Sequence, residues 1–269
     1  MEWEVLASGY GLAEAPVVDT DGSLLFSDVL GGGVYRVDEQ GNVATVVPKR
    51  RGVGGIALHA DGGIVCSGRD VVHVRDGVTR TVLSVDGVAG WNDIGTDQGG
   101  RLFAGALRFA VFDPQATVVP GELWCVDPDT GPWTVFDNIV HANGVAVSPD
   151  QLTIYVSDTR ARKLISFDLT TGTRTDIDVA AYGSPDGLAL DENGAIWLAL
   201  VDGGLARFRP DGSLDKQFEI PSRFVTSVSF DGHVMYVTSG DNTDDAARKG
   251  CVFRASVPVA GAPVAPARV

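Results

Sequence analysis

Six stretches of the sequence open in a similar way, and their first residues include most of the groups that could do chemistry together. These opening residues are Glu14, Gly54, Asn92, Asn143, Asp186 and Thr226. Four of the six carry a carboxylate or an amide oxygen, the groups that a hard divalent cation prefers as ligands. Asn and Asp also favour turns, which would explain any one of these positions taken singly. Four such groups at matching positions instead predict a cation site, provided that the fold brings them together.

The elements that follow these residues repeat along the chain. Each stretch continues with alternating apolar residues, a turn rich in Asp, Asn or Gly, and a β-rich run that ends in a small residue. The small residues taken as equivalent are Ser27, Ser67, Ala104, Ser157, Ala199 and Thr238. The steps between them are 40, 37, 53, 42 and 39 residues. Such a period, with hairpins rather than helices, predicts an all-β, six-bladed β-propeller of four-stranded antiparallel blades.

In a propeller the innermost strands all begin at the same end of the central axis, so the six opening residues would form a ring around the mouth of the channel. Segment 1–9 is expected to close the disc as the outer strand of the last blade, because an open disc would leave unpaired strand edges. The tail 257–269 contains several prolines and is expected to run over the surface in an extended form. No linker divides residues 1–269, which are predicted to be one domain.

The composition disfavours several kinds of partner. The 35 acidic and 21 basic residues give a formal charge of −14. Binding to nucleic acid and to anionic membranes depends on lysine and arginine, so neither is expected. The first residues have no basic group before their apolar positions and do not resemble a secretory signal. We therefore expect a cytoplasmic protein, a monomer or a small homo-oligomer, that acts on a small molecule.

Several motifs, in order and at matching repeat positions, resemble the SMP-30/gluconolactonase/luciferin-regenerating-enzyme-like family. They are Glu14-Ala15-Pro16, Asn92-Asp93, Asn143-Gly144-Val145 and Ser184-Pro185-Asp186-Gly187-Leu188. The resemblance covers nearly the whole chain. It implies that Glu14, Asn143 and Asp186 are metal ligands, and that Asn92 is a ligand or near-ligand that also contacts substrate. It also implies one divalent cation, with Ca²⁺ expected first and Zn²⁺, Mg²⁺ or Mn²⁺ as alternatives, and a lactone as the substrate.

The chemistry expected for such a site is metal-dependent hydrolysis of a lactone or a related ester. The cation would polarise the carbonyl, activate water and stabilise the developing oxyanion. Asp186 could accept a proton from the attacking water as a general base, or it could only hold the metal. Asp93 is the alternative base.

Two features separate this chain from the sugar-lactone pattern of the family. By resemblance, an arginine is expected two residues before the Asn-Asp pair, but this chain has Gly90 there. The longest step between repeats also places an insertion at 107–121, which is predicted to form a lid over the mouth. The missing arginine and the insertion together predict a substrate more apolar than a sugar lactone. The predicted substrate contacts are Trp91, Asn92, Arg108, Phe109 and His141.

Two other functions remain open at this point. The same metal site could carry out isomerase or lyase chemistry on an apolar substrate. A reaction in labelled water would distinguish this from hydrolysis, because only hydrolysis adds an oxygen atom from water to the product. The other alternative is a binding propeller without enzymatic activity. That reading predicts no ring of oxygen ligands and predicts blade signatures such as Trp-Asp, which the sequence lacks.

Overall fold

The computed structural model describes residues 1–241 and 249–269, and within these ranges all regular secondary structure is β-strand. No helix that could span a membrane occurs in either range.

The strands, numbered in chain order, form six blades. Blade 1 contains β2 (Ala13–Val18), β3 (Leu24–Asp28), β4 (Val34–Val37) and β5 (Val43–Val47). Blade 2 contains β6 (Ile56–Leu58), β7 (Ile64–Cys66), β8 (Val71–Arg75) and β9 (Val78–Leu83). Blade 3 contains β10 (Gly90–Thr96), β11 (Leu102–Leu107), β12 (Gly121–Asp127) and β13 (Gly131–Ile139). Blade 4 contains β14 (Ala142–Val147), β15 (Thr153–Asp158), β16 (Lys163–Asp168) and β17 (Arg174–Asp178). Blade 5 contains β18 (Pro185–Leu190), β19 (Ile196–Leu200), β20 (Gly204–Phe208) and β21 (Leu214–Phe218). Blade 6 contains β22 (Val225–Asp231), β23 (Val234–Ser239), β24 (Gly250–Ser256) and the N-terminal strand β1 (Glu4–Tyr10).

Every blade is a four-stranded antiparallel sheet, and the innermost strands β2, β6, β10, β14, β18 and β22 neighbour one another in a closed circle. Blade 6 is completed by the N-terminal strand, which pairs with β24 so that Glu4 lies opposite Arg254. The Arg254 guanidinium also donates to the Glu4 carboxylate at 2.8 Å. These findings confirm the six-bladed propeller and its closure by the N-terminal segment.

Apolar clusters between adjacent blades hold the disc together. Between blades 2 and 3, for example, Val65 of β7 and Leu102 of β11 are fully buried beside Trp91. Successive side chains of a strand point to opposite faces of its sheet, and both faces of a blade meet a neighbour. This explains why the second strands, such as β19, are buried along their whole length.

The recurring small residue of the repeat lies in the crowded region near the axis. Ser27 Oγ donates to the Val53 carbonyl at 2.6 Å, and Ser157 Oγ donates to the Asp186 carbonyl at 2.5 Å. Each bond joins one blade to the segment that begins the next. Ala104 and Ala199 occupy the same repeat position without a hydroxyl and are fully buried. The position therefore requires small volume, and Ser27 and Ser157 each add a hydrogen bond between blades.

The tail crosses the end of the channel that lies opposite the mouth. Ala262 N–H donates to the Leu190 carbonyl of blade 5 at 2.9 Å, and Ala267 N–H donates to the Leu58 carbonyl of blade 2 at 2.8 Å. A cavity of about 400 Å³ lies between residues 261–266 and the inner strands, and we call it the channel cavity. Ala267 of the tail is fully buried in the cluster between blades 2 and 3.

Candidate active site

A cavity of about 570 Å³ lies where the inner strands begin, and we call it the mouth cavity. The four oxygen-bearing residues predicted for the ring, Glu14, Asn92, Asn143 and Asp186, all line it. Thr226, at the matching position of blade 6, instead donates its hydroxyl to the Ala13 carbonyl at 2.6 Å and joins blades 6 and 1.

Each of the four oxygen-bearing residues lies at a break in the register of its inner strand. The pairing of β2 with β3 shifts after Glu14, and the pairing of β14 with β15 shifts across Asn143. The breaks in β10 and β18 span Asn92 and Asp186. A bulge bends a strand and re-aims the side chain at that point. In β2 the break includes Ala15 with φ at +53°, in the left-handed region that few residues other than glycine adopt.

Two glycines allow the ring residues to approach one another. A Cβ atom on Gly54 would overlap Oδ1 of Asn92, so the Asn92 amide occupies the space that a side chain of blade 2 would fill. A Cβ atom on Gly144 would lie 2.5 Å from the Leu188 nitrogen. The strand that carries Asp186 can therefore approach Asn143 closely because residue 144 has no side chain.

In two blades the recurring small residue is a serine followed by a buried aspartate, Ser27-Asp28 and Ser157-Asp158. These aspartates anchor the loops that lead into the ring. The Asp158 carboxylate accepts hydrogen bonds from Val140 N–H at 2.7 Å and from His141 N–H at 3.0 Å. Asp28 accepts two such bonds at 3.1 Å in the segment before Glu14. Hydrogen bonds to a charged acceptor are about twice as strong as neutral ones, so these carboxylates fix where the inner strands start.

Glu14, Asp186 and Asp93 form a group of interacting carboxyls. Burial raises the pKa of Glu14 and of Asp186 well above their usual values, and repulsion from neighbouring carboxylates raises both further. Burial also raises the pKa of Asp93 to about 7, although the backbone N–H of Ile94 lowers it. Among the described residues, no lysine or arginine forms an ion pair with any of the three. A bound cation would relieve this repulsion.

The two asparagines are each held through the amide nitrogen. Asn143 Nδ2 contacts Asp186 Oδ1 and donates to Thr159 Oγ1 at 3.2 Å. Asn92 Nδ2 donates to the Ala142 carbonyl at 2.9 Å. This leaves both Oδ1 atoms without a hydrogen-bond donor in the described part of the chain. Each asparagine can therefore offer an oxygen to a cation or to a substrate.

The donor set fits a hard divalent cation, although it is not a cluster of acids alone. Within residues 1–241 and 249–269, no three His, Cys, Asp or Glu side chains are arranged to hold a metal by themselves. The carboxylates of Glu14 and Asp186 would need the amide oxygens of Asn143 and Asn92 to complete the coordination. Two carboxylates with two amides match the oxygen preference and the charge of a 2+ ion.

Two predicted site residues lie outside the mouth cavity. Asp93 lines the channel cavity, and its Oδ1 accepts from Ile94 N–H at 2.8 Å. Arg108 is bound by Glu122, whose two carboxylate oxygens both lie 3.1 Å from Arg108 Nε. The Asp86 carbonyl accepts a further bond from Arg108 at 3.1 Å. The Arg108 guanidinium therefore holds the segment 108–120 to blade 3 and is not among the residues that line the mouth.

The other predicted substrate contacts line the mouth cavity. Burial lowers the pKa of His141 to about 4, so its imidazole is neutral at physiological pH. Phe109 is buried, with the Arg160 guanidinium 4.9 Å from its ring centre. Trp91 belongs mainly to the core between blades 2 and 3, and its indole nitrogen has no hydrogen-bond partner among the described residues.

The mouth cavity also contains a second set of residues, which the sequence did not lead us to predict. Four of them lie two positions after the recurring small residue of their repeat, namely Val29, Arg69, Thr159 and Val201. They follow the second strand of their blades, whose end lies beside the start of the inner strand. The repeat alignment that identified the first ring contains the signal for this second one.

The sequence and the fold are both similar to those of known proteins. Residues 12–241 match a family model described as the SMP-30/Gluconolactonase/LRE-like region. The chain is 31% identical over 276 residues to 6-deoxy-6-sulfogluconolactonase of Pseudomonas putida, covering 93% of this chain and 92% of that one. It is 29% identical over 280 residues to pentonolactonase XacC of Haloferax volcanii, covering 94% and 93%. The fold is similar to that of a luciferin-regenerating enzyme, with a TM-score of 0.86, 24% identity and coverage of 100% and 99%.

Proposed function

This chain belongs to the SMP-30/gluconolactonase/LRE-like family, and on that premise we propose that it hydrolyses a lactone with the help of one divalent cation. The observation that carries the proposal is the convergence of Glu14, Asn143 and Asp186 from three blades on one cavity. Two relatives that match nearly the whole chain are named as lactonases, which supports the substrate class.

We infer that Glu14, Asn143 and Asp186 would hold the cation, with Asn92 as a fourth ligand or a substrate contact. Ca²⁺ fits this mixture best because it accepts amide oxygens beside carboxylates in flexible geometry. Zn²⁺, Mg²⁺ and Mn²⁺ are the alternatives. When bound there, the cation would polarise the lactone carbonyl and acidify a water molecule.

Asp186 is the residue favoured to accept a proton from the attacking water. It lines the mouth cavity, and its backbone is held by the Ser157 hydroxyl while Asn143 Nδ2 contacts its carboxylate. Asp93, with a pKa raised to about 7 by burial, has the better pKa for a general base near neutral pH. However, Asp93 lines the channel cavity. We therefore assign Asp93 the role of raising the pKa of Asp186, and keep it as the alternative base.

The walls of the mouth cavity favour a substrate that is more apolar than a sugar lactone. The apolar side chains that line it include Leu12, Val29, Leu107, Phe109, Phe112 and Phe224. Gly90 supplies no side chain with hydrogen-bond donors on this wall. Apart from the four predicted cation ligands, the polar side chains of the lining are Arg69, His141, Thr159 and Ser184, which are outnumbered by the apolar ones.

The cation and the reaction class can be tested together. EDTA-treated protein is expected to hydrolyse no lactone in a panel of aliphatic, aromatic and sugar lactones, and one divalent cation should restore turnover. The product should gain one oxygen atom from labelled water. Asp186→Asn should abolish turnover and cation binding, whereas Thr226→Ser, at the matching position of blade 6, should retain both. Full activity in EDTA, or a product without water-derived oxygen, would contradict the proposal.

The substrate preference has its own test. Phe109→Ala is expected to lower kcat/KM for an aliphatic lactone by about tenfold, since burying a large aromatic side chain against substrate contributes about 1.5 kcal/mol or more. Val119→Ala is the matched control, because Val119 lies in the same segment, is exposed and does not line the cavity. An enzyme that prefers gluconolactone over aliphatic lactones would overturn the proposed preference.

A further inference from the structure

Arg69 is the one lysine or arginine among the described residues that line the mouth cavity. It follows β7 in blade 2 and is exposed. Within the described ranges its guanidinium has no ion pair or hydrogen bond. The residues at the same repeat position in blades 1, 4 and 5 are Val29, Thr159 and Val201. Arg69 is therefore a single positive charge in a ring of uncharged side chains.

The neighbouring acid is already neutralised by a different arginine. Asp70, next to Arg69 in the chain, pairs with the Arg50 guanidinium at 2.7 Å. Arg50 also donates from Nε to the Ser67 carbonyl at 3.0 Å and so ties the loop before blade 2 to the end of β7. With Asp70 engaged by Arg50, the five donors of Arg69 remain available to a ligand.

Backbone pairing between blades 2 and 3 holds Arg69 beside Asn92, one of the predicted metal ligands. Gly68 and Trp91 exchange two hydrogen bonds, at 3.2 Å from Gly68 N–H and at 2.6 Å from Trp91 N–H. Each residue is followed directly by a cavity residue, Arg69 in one case and Asn92 in the other. Gly90, beside this bridge, has no side chain that could cover the approach to Arg69.

The rim around Arg69 is locally positive on a protein whose formal charge is −14. The Arg51 carbonyl lies 3.2 Å from where a Cβ atom of Gly68 would be, so loop 49–51 packs against the segment that carries Arg69. Lys49 and Arg51 of this loop are exposed, and neither has an ion-pair partner among the residues that the structure describes. An anion would be attracted to this part of the mouth and repelled from most of the surface.

We propose that Arg69 binds an anionic group on the substrate, a carboxylate, sulfonate or phosphate, while the lactone ring lies at Glu14, Asn143 and Asp186. This inference rests on the proposed function and narrows the substrate class to a lactone with an apolar body and one negatively charged end. A guanidinium binds such groups in bidentate fashion through charge-assisted hydrogen bonds. Arg69 would thus determine specificity without taking part in the chemical step.

The test compares two substrates that differ in one charge: a γ-butyrolactone with a ring carboxylate and its carboxamide counterpart. In the cation-loaded protein, Arg69→Gln is expected to lower kcat/KM for the carboxylate about tenfold or more and to leave the carboxamide unchanged. Arg75→Gln is the matched control. It removes one charge from the same blade, in an exposed Arg75–Asp76 pair at the β8–β9 turn, away from the mouth. It should change neither substrate.

A direct binding measurement separates this inference from the proposed function. Calorimetry with tetrahydrofuran carboxylate, which cannot be hydrolysed, should show binding that Arg69→Gln weakens about tenfold and that the carboxamide analogue lacks. If the cation-loaded protein turns over no lactone of the panel, these two included, but this binding difference is found, the lactonase proposal fails and the anion site stands. If Arg69→Gln affects charged and neutral ligands equally, or affects neither, the anion site is refuted whether or not the protein is a lactonase.

Discussion

Without divalent cations, the buried carboxyls Glu14, Asp186 and Asp93 are expected to lower the stability of the folded protein as the pH rises above about 4. The reason is that burial raises the pKa of Glu14, Asp186 and Asp93 in the folded state. The folded state then keeps protons that the unfolded chain has released. This stabilising contribution is fully present below the unfolded pKa near 4 and is lost as the pH rises through the folded pKa. A cation favours the charged carboxylates, so its stabilising effect should grow over the same range.

Asp93 sets the scale of this effect, because burial raises its pKa to about 7. The unperturbed pKa of an aspartate is about 3.9, and each pH unit of difference corresponds to about 1.4 kcal/mol. Asp93 alone can therefore remove up to about 4 kcal/mol by neutral pH, a large share of a typical total of about 5–15 kcal/mol. His141 acts in the opposite direction. Burial lowers its pKa to about 4, so its contribution is present above the unfolded pKa of about 6.5 and is lost as the pH falls.

Because His141 contributes in both forms of the protein, the informative quantity is the difference between cation-loaded and EDTA-treated protein. Urea unfolding at several pH values between about 5 and 8 measures it. We expect the difference in free energy of unfolding to increase with pH, and Asp93→Asn to reduce that increase. Asp150→Asn is the control, since hydrogen bonds from Ser148 and Leu152 lower the pKa of Asp150 and place its titration below this range. A difference that stays constant with pH would refute the reasoning.

Three further perturbations follow from the packing around the ring. Gly54→Ala should displace the Asn92 amide and lower turnover about tenfold with little loss of stability. Gly99→Ala, in an exposed turn, is the control and should retain activity. A fully active Gly54→Ala enzyme would contradict the role of Asn92. Asp158→Ala leaves the N–H groups of Val140 and His141 without their acceptor. It should lower the free energy of unfolding, measured by urea unfolding, by about 1–3 kcal/mol. A loss below about 0.5 kcal/mol would show that the loop needs no anchor. Ala267→Asp places an unpaired carboxylate at a fully buried site and should lower the free energy of unfolding by about 3 kcal/mol or more. Val264→Asp, at a residue that is 77% exposed, should lower it little. Equal urea midpoints for the two variants would show that the tail does not pack as described.

The fold could be predicted from the sequence because its signal is periodic. Ser27, Ser157 and their equivalents recur at steps of about one blade. Ser27 and Ser157 donate to the segment that begins the next blade, and Asp158 accepts from the loop before the inner strand of its own blade. The same repeat positions brought Glu14, Asn143 and Asp186 to one cavity. Strand order and closure follow once the repeat is recognised, since an open disc would expose two edges.

Side-chain partners could not be predicted in the same way, because they depend on register breaks and on neighbouring loops. Asp93 is adjacent to Asn92 in the chain, yet the bulge in β10 separates their surroundings and Asp93 lines the channel cavity. Arg108 was expected at the substrate, but Glu122 is opposite it and engages its guanidinium. Arg69 was overlooked because its availability results from the pairing of Asp70 with Arg50, which is a tertiary contact.

The most direct test of the central claim is anomalous scattering from crystals soaked in Mn²⁺, which locates a bound cation independently of activity. We expect one strong peak within about 2.6 Å of oxygen atoms of Glu14, Asn143 and Asp186, and no such peak in crystals of Asp186→Asn. A cation bound elsewhere, or a mouth cavity that holds none in the wild-type protein, would contradict it.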